Sequence, residues 1–228
     1  MNLEKKKMIM FAVLGLGVIV GAGMAGFPVI SFGGVKRKWR YTKYPYIWDV
    51  VLKGEAKTFN DYNYYTDSGL KSVINAKDTM PFSSKLLTDM SVGQVMEYQS
   101  MSRSGKGQLW ATGHFQVIPD TLRGIYGKAK LNLDSKYNER NQQAIADALI
   151  DERTTLRKYL NKEIEDTDTN LKNASLDVAK IWSSVGVPFS VRNNKGLMRS
   201  KDMSYYGSDK ASVSSEDVQK ALRTQRNS

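Results

Sequence analysis

An uncharged, mostly apolar run near the start of the chain is the strongest constraint on its fold. No Asp, Glu, Lys or Arg occurs in residues 8–32, and a helix of this length crosses a hydrocarbon core of about 30 Å. The basic stretch 36–40, which contains Trp39, is typical of a stop at the membrane surface. The pattern predicts one transmembrane helix over 8–32, between a basic N-terminus (1–7) and a basic juxtamembrane linker (33–44).

Two other interpretations of this run stay open. Residues 5–7 are lysines, and a small-residue cleavage site before Gly26 would fit a secretory signal peptide. The apolar residues continue past that site to Phe32, which favours retention. The run is also rich in glycine, as in endolysins that are released from the membrane, although its many branched aliphatic residues disfavour release. Basic residues flank both ends, so charge does not fix the orientation.

Composition narrows the chemistry of the remaining chain. The 228 residues include no cysteine and one histidine, His114, which excludes disulfides, thiolate chemistry and multi-histidine zinc sites. The net charge of +11 favours a polyanionic partner such as nucleic acid, anionic lipid or the bacterial wall. No nucleic-acid-binding motif is present, so no nucleic acid partner is expected. Acid–base chemistry on carboxylates, without a metal or cofactor, remains open.

Residues 45–222 read as one domain, followed by a short tail at 223–228. Ile47, Val50 and Val51 have helical spacing in a segment that ends at Gly54, so Glu55 follows the end of a helix. Residues 59–70 have the composition of an irregular segment or short β-hairpin. Ser91 would cap a helix, and residues 140–160 are predicted to form another.

The segment 111–122 reads A-T-G-H-F-Q-V-I-P-D-T-L. It resembles the pattern A-[ST]-G-[RHK]-[FY]-Q-[IVF]-I-P-x-T-L of phage lysozyme-like enzymes. The resemblance implies a mainly α, lysozyme-like α+β domain with a small β-hairpin region, in which this segment forms part of the wall of a sugar groove. It also implies an upstream catalytic glutamate at the C-terminal end of a long helix that faces the groove, and Glu55 has that place.

Other segments resemble the same family in the same order. Residues 87–99 resemble its L-[ST]-x-[MF]-[ST]-[VI]-G-[EQ]-[VI]-M-x-x-Q, and residues 143–153 its Q-x-x-A-x-x-L-I-x-x-R. Residues 176–188 resemble L-x-x-[AL]-x-x-[WF]-[AS]-S-[VL]-x-[VL]-P, and residues 204–207 its closing S-[YF]-Y-x-G, with the glycine one position early. The shared order and spacing carry the resemblance, because each motif alone is weak.

The resemblance implies a set of site residues around the acid. Glu55 would be the catalytic acid, and the substrate-binding residues would be Tyr62, Asn63, Gln99, Thr112 and Gln116. Each has a plainer interpretation: Glu55 as a solvated surface residue, Tyr62 as core packing and Gln116 as an amide that fixes a turn. His114 is expected at the groove edge or surface, and Trp110 and Trp182 in the core.

A lysozyme of the two-carboxylate type needs a second carboxylate near the acid. Asp61 and Asp67 are the nearest candidates. In the standard phage lysozyme pattern, eight residues separate the acid from an Asp or Cys. In this chain that position is Tyr64, so neither aspartate has the expected spacing. Two mechanisms therefore remain: hydrolysis, and lytic transglycosylation, in which one acid serves as both acid and base.

The sequence predicts a membrane-anchored glycosidase that cleaves the N-acetylmuramic acid–N-acetylglucosamine β-1,4 bond of peptidoglycan. Its expected role is local wall penetration when a phage genome enters the host. Its expected partners are the glycan strands and one membrane, in the virion or the host inner membrane, with the domain facing the wall. The alternatives are an endolysin with a releasable anchor and a non-catalytic wall-binding membrane protein.

Overall fold

The computed structural model describes residues 41–66, 69–73, 76, 83–101, 108–207 and 209–228. These residues form a mixed α and β structure with seven α-helices, a short 3-10 helix at Leu87–Asp89 and two small antiparallel sheets. The helices are α1 (Pro45–Val51), α2 (Val92–Ser100), α3 (Pro119–Ile125), α4 (Glu139–Asp151), α5 (Thr154–Leu160), α6 (Asp168–Ala179) and α7 (Ser215–Asn227). The strands are β1 (Tyr62–Thr66), β2 (Gly69–Val73), β3 (Leu109–Thr112), β4 (Val191–Arg192) and β5 (Met198–Arg199).

The predicted transmembrane helix over 8–32 lies outside the described residues. None of the helices within the described ranges has the length and apolar character needed to cross a bilayer.

The predicted β-hairpin is present and is part of a larger sheet. β1 pairs with β2 from Tyr62 opposite Val73 to Thr66 opposite Gly69, and its other edge pairs with β3. The register between β1 and β3 shifts between Tyr62 and Tyr64, as at a β-bulge. This three-stranded sheet follows Glu55 in the chain, in the order that the resemblance implies.

Local sequence signals explain where most helices begin. Ser91 caps α2 as predicted: its hydroxyl accepts from the backbone N–H of Gln94, whose side chain accepts from the backbone N–H of Ser91. Asn138, Thr167 and Ser214 cap α4, α6 and α7 in a similar way.

Two predicted boundaries differ from the structure. The single helix expected over 140–160 is two helices, because Arg153 is extended between α4 and α5 and its guanidinium donates to the carbonyl of Lys180 at 3.2 Å. The expected tail at 223–228 is mostly helix, since α7 runs to Asn227 and packs against α1 and α6.

The last residues of the predicted linker pack on the domain. The backbone N–H of Tyr41 donates to Gln143, and the backbone N–H of Lys43 donates to the Asp147 carboxylate at 2.8 Å. Gln225 of α7 binds the same stretch, because its amide donates to the Lys43 carbonyl and accepts from the backbone N–H of Tyr46. The start and the end of the described chain are therefore neighbours.

An aromatic cluster forms the centre of the core. The fully buried Trp48 ring packs edge-on against Phe115 and Trp182, with ring centroids 5.0 and 5.1 Å away. The Trp48 indole N–H donates to Thr42 at 2.7 Å and lies 3.2 Å from the Asp147 carboxylate. Trp182 is a core residue, as predicted, while Trp110 is only partly buried and packs on Tyr65.

Candidate active site

Glu55 follows the end of α1 after a short turn, as the sequence predicts. α1 ends at Val51, residues 52 and 53 form the turn, and Gly54 brings the chain against the C-terminal part of the domain. A Cβ at Gly54 would lie 2.4 Å from the Ser212 hydroxyl oxygen and 2.7 Å from the Ser184 Cβ. The approach therefore requires glycine, and it places Glu55 beside Ser184.

The Glu55 carboxylate accepts a hydrogen bond from a residue 129 positions away. Oγ of Ser184 donates to Oε1 of Glu55 at 2.5 Å. The Ser184 backbone is fixed in turn, because its carbonyl accepts from the N–H of Val213 and the next glycine, Gly186, donates to the Val213 carbonyl, both at 2.9 Å. Two distant segments thus hold the carboxyl in one position.

The pKa of Glu55 is raised from its ordinary value of 4.5 to about 7. Burial is the main cause, since loss of water disfavours the charged form, while the hydroxyl and the backbone N–H of Ser184 act in the opposite direction. The side chain is only partly covered by protein. A carboxyl that keeps its proton near neutral pH and still reaches the surface has the properties of a general acid.

This raised pKa predicts how stability changes with pH. A carboxyl whose pKa is higher in the folded state stabilises the fold fully below its unfolded pKa, and that contribution is lost as pH rises through the folded pKa. The shift from 4.5 to about 7 corresponds to about 3 kcal/mol. We expect the free energy of unfolding of the wild type, relative to Glu55→Gln, to fall by about that amount between roughly pH 4 and pH 9.

Chemical denaturation across this pH range measures the difference. Glu97→Gln is the matched control, because Glu97 is exposed on α2; its pH profile should run parallel to that of the wild type. Identical profiles for wild type and Glu55→Gln would show that the pKa of Glu55 is not raised.

Asp61, one of the two candidates for a second carboxylate, is a structural residue. It is 1% exposed, and its oxygens accept from the backbone N–H groups of Lys57, Thr58 and Ala76 and from the Thr58 hydroxyl at 2.5 Å. Its lone pairs are occupied, so it holds the 57–61 loop in place. Asp67, the other candidate, lies outside the described residues.

The motif segment forms a tight turn against the Asp61 loop. Gly113 has a φ of +73° and donates its N–H to the Asp61 carbonyl at 2.7 Å. A Cβ at Gly113 would lie 2.0 Å from Oε1 of Gln142, so this close approach requires glycine. The Gln142 amide ties the turn to the loop, because it accepts from the His114 N–H and donates to the Phe59 carbonyl.

His114 is not at the surface, contrary to expectation. It is 4% exposed, and its ring packs edge-on against Phe59 with centroids 4.9 Å apart. The turn at Gly113 points the side chain inward, where the Phe59 ring covers it.

The structure separates the predicted substrate-binding residues into two groups. Tyr62, Gln99 and Thr112 are 3%, 1% and 0% exposed, so their side chains lie beneath the surface. The Gln99 amide donates to the carbonyls of Trp110 and Val117 at 2.9 and 3.0 Å. The Thr112 hydroxyl also bonds the Val117 carbonyl. These contacts support the strand and turn from below.

The other two predicted binding residues keep part of their side chains at the surface. Asn63 is partly buried in β1, opposite Ser72. Gln116 is also partly buried, has a φ of +50°, and its amide donates to the Gly113 carbonyl at 2.8 Å. Gln116 thus fixes the turn, which is the plainer of its two interpretations.

Sequence reasoning missed Ser184 as a functional residue. It is the fixed serine of the pattern that residues 176–188 resemble, but nothing in the sequence connects it to Glu55. Only the fold brings it to Glu55. Among the described residues, no group of three or more His, Asp or Glu side chains is arranged to hold a metal ion.

Comparison of the whole chain with protein-family models, with curated proteins and with solved structures finds no match.

Proposed function

We propose that this chain is a glycosidase that cleaves the β-1,4 bond between N-acetylmuramic acid and N-acetylglucosamine in peptidoglycan, with Glu55 as general acid. The environment of Glu55 is the observation that carries the proposal. Its carboxyl belongs to a partly buried residue, is held by the Ser184 hydroxyl at 2.5 Å and has a pKa of about 7 because of burial.

Breaking a glycosidic bond requires a proton on the departing oxygen. A carboxyl with an ordinary pKa has lost its proton at neutral pH, whereas one near 7 is still protonated in about half of the molecules. The Ser184 hydroxyl fixes the rotamer of the acid, so less conformational entropy is lost when the acid reaches the reactive geometry. Glu55 is therefore equipped to protonate a leaving group near neutral pH.

The engagement of Asp61 favours a mechanism that uses a single carboxyl. In this route Glu55 first gives its proton to the glycosidic oxygen as the bond to C1 breaks. The resulting carboxylate then removes the proton from the C6 hydroxyl of the muramic acid, and that oxygen bonds to C1. The product is a 1,6-anhydro sugar, the acid regains its proton, and no second carboxylate is required.

The order of the elements along the chain and two partly buried amides support binding of a polar sugar chain. A helix, the acid and a three-stranded sheet follow one another in the chain in the order that the resemblance to lysozyme-like enzymes implies, but α1 has only seven residues where a long helix is expected. Asn63 on the sheet and Gln116 on the adjoining turn offer amide groups for hydroxyl and acetamido substituents. The charge of +11 attracts the anionic wall polymer.

The proposed biological role follows from the membrane segment expected over 8–32. We propose a retained anchor and local opening of the wall as a phage genome enters its host. An endolysin with a releasable anchor is the alternative. Cell fractionation after membrane depolarisation separates the two, because only a releasable anchor moves the chain to the soluble fraction.

The products of purified murein test the reaction itself. We expect the full chain to release soluble muropeptides that end in 1,6-anhydro-muramic acid, measured by mass spectrometry. Reducing ends would instead show that a water attacks C1, as in a lysozyme, and the single-carboxyl route to the anhydro sugar would be wrong. A chain that sediments with murein and releases nothing would be a wall-binding protein, and the proposed activity would be wrong.

A further inference from the structure

The second sheet is a short hairpin, β4–β5, with a rigid tip. Gly196 has a φ of +76°, and the Asn193 backbone N–H donates to the Leu197 carbonyl at 2.9 Å. The buried Asn193 amide accepts from the N–H groups of Lys195 and Leu197 and donates to the Tyr205 carbonyl. Its conformation is therefore fixed before any partner arrives.

Two large apolar side chains project from this tip into solvent. Leu197 and Met198 are 51% and 52% exposed, and they are adjacent in the chain. Two adjacent apolar side chains that stay in water forgo the free energy that burial would give, so a partner that covers both would gain it.

The hairpin is also strongly basic. Residues 181–201 contain no Asp or Glu and four cations, namely Arg192, Lys195, Arg199 and Lys201. Lys201 pairs with Glu216. Arg199 is 8% exposed, and its Nε has no hydrogen-bond partner among the described residues. The apolar tip thus lies next to several cations, of which Lys201 is paired with a carboxylate.

We propose that the β4–β5 hairpin docks on a bilayer surface that contains anionic lipid, with Leu197 and Met198 entering the boundary between headgroups and acyl chains. The exposed Arg192 and Lys195 then contact lipid phosphates. Adjacent apolar and cationic side chains match this boundary, which is apolar inside and negatively charged outside. A glycan strand would match the charge but offers little apolar surface to cover the two aliphatic side chains.

The base of the hairpin is hydrogen-bonded to the segment that follows Ser184. At the base of the hairpin, the Val187 N–H donates to the Met203 carbonyl and the Asp202 N–H donates to the Val187 carbonyl, at 2.9 and 2.8 Å. Val187 lies three residues after Ser184, which holds Glu55. The same segment, residues 184–187, therefore contacts both Glu55 and the base of the hairpin. Lipid docking does not depend on Glu55 being catalytic.

Because the chain has no cysteine, a single introduced cysteine can carry a fluorescent label. The full chain with Leu197→Cys, and separately with Met198→Cys, is labelled with an environment-sensitive dye and reconstituted into vesicles of phosphatidylcholine with or without phosphatidylglycerol. With the anionic lipid we expect a blue-shifted emission and iodide quenching at least about threefold weaker than in lipid-free protein. Leu133→Cys is the matched control, since Leu133 is 48% exposed in a different loop and should stay accessible to iodide.

Charge removal and murein complete the test. Arg192→Gln combined with Lys195→Gln should restore iodide access to the Leu197 label in anionic vesicles. The proposal is overturned if both tip labels stay accessible in anionic vesicles, if neutral vesicles protect them equally, or if only murein protects them. The labels report how accessible the hairpin tip is to iodide, and this does not depend on catalysis. Loss of murein cleavage would therefore not change their result.

Discussion

Replacing Glu55 by glutamine is expected to reduce the release of muropeptides from purified murein by at least about 100-fold, since general acid catalysis contributes factors of roughly 10²–10⁴. Glutamine keeps the shape of the side chain and can still accept from the Ser184 hydroxyl, but it has no proton to give at the glycosidic oxygen. The initial rate of murein clearing and the yield of soluble muropeptides both measure the loss.

The control for this result is the same substitution at Glu97, a glutamate far from Glu55 in the sequence. Glu97→Gln makes the same chemical change at an exposed position on α2, and it should leave the rate unchanged. Circular dichroism should show that both variants are folded. If Glu55→Gln clears murein at the wild-type rate, Glu55 is not the acid and the proposed site is wrong.

Truncation of Trp48 to alanine is expected to destabilise the fold by about 3–5 kcal/mol, which is the usual cost of removing a buried aromatic ring. Trp48 is 0% exposed and packs against Phe115 and Trp182. Its removal also takes an indole N–H from the Thr42 hydroxyl and the Asp147 carboxylate. Because most small domains are stable by only about 5–15 kcal/mol, this variant should approach the limit of folding.

Urea denaturation measures the loss, and a second tryptophan supplies the comparison. Trp110 is partly exposed on β3, so Trp110→Ala leaves a smaller cavity and should cost clearly less. Equal losses for the two variants would mean that Trp48 is not at the centre of the core.

The features that the sequence predicted well are those set by neighbouring residues. The Ser91 cap depends on Gln94 three residues later, and the hairpin after Glu55 depends on its own residue types. The position of Glu55 after a helix was also predicted from neighbouring residues, namely the spacing of the apolar residues that precede it. The break at Arg153 was missed, and the Lys180 carbonyl that the Arg153 side chain bonds lies 27 residues away.

The parts of the site that could not be predicted depend on distant contacts. Ser184 reaches Glu55 across 129 residues, and no spacing rule connects the two. Gln99 and Thr112 belong to the motif pattern, yet burial directs their polar groups toward the Val117 carbonyl. A family pattern marks positions that matter, but it does not separate a residue that touches a ligand from one that supports the backbone beneath it.

The meeting of the two ends of the described chain has a consequence for engineering. Gln225 bonds to the backbone of both Lys43 and Tyr46, so a short peptide could join the ends without spanning the molecule. Ends that lie together are the condition under which a domain tolerates circular permutation or insertion into a surface loop of another protein. The domain could thus be inserted into a loop of a host protein through two junctions that lie close together.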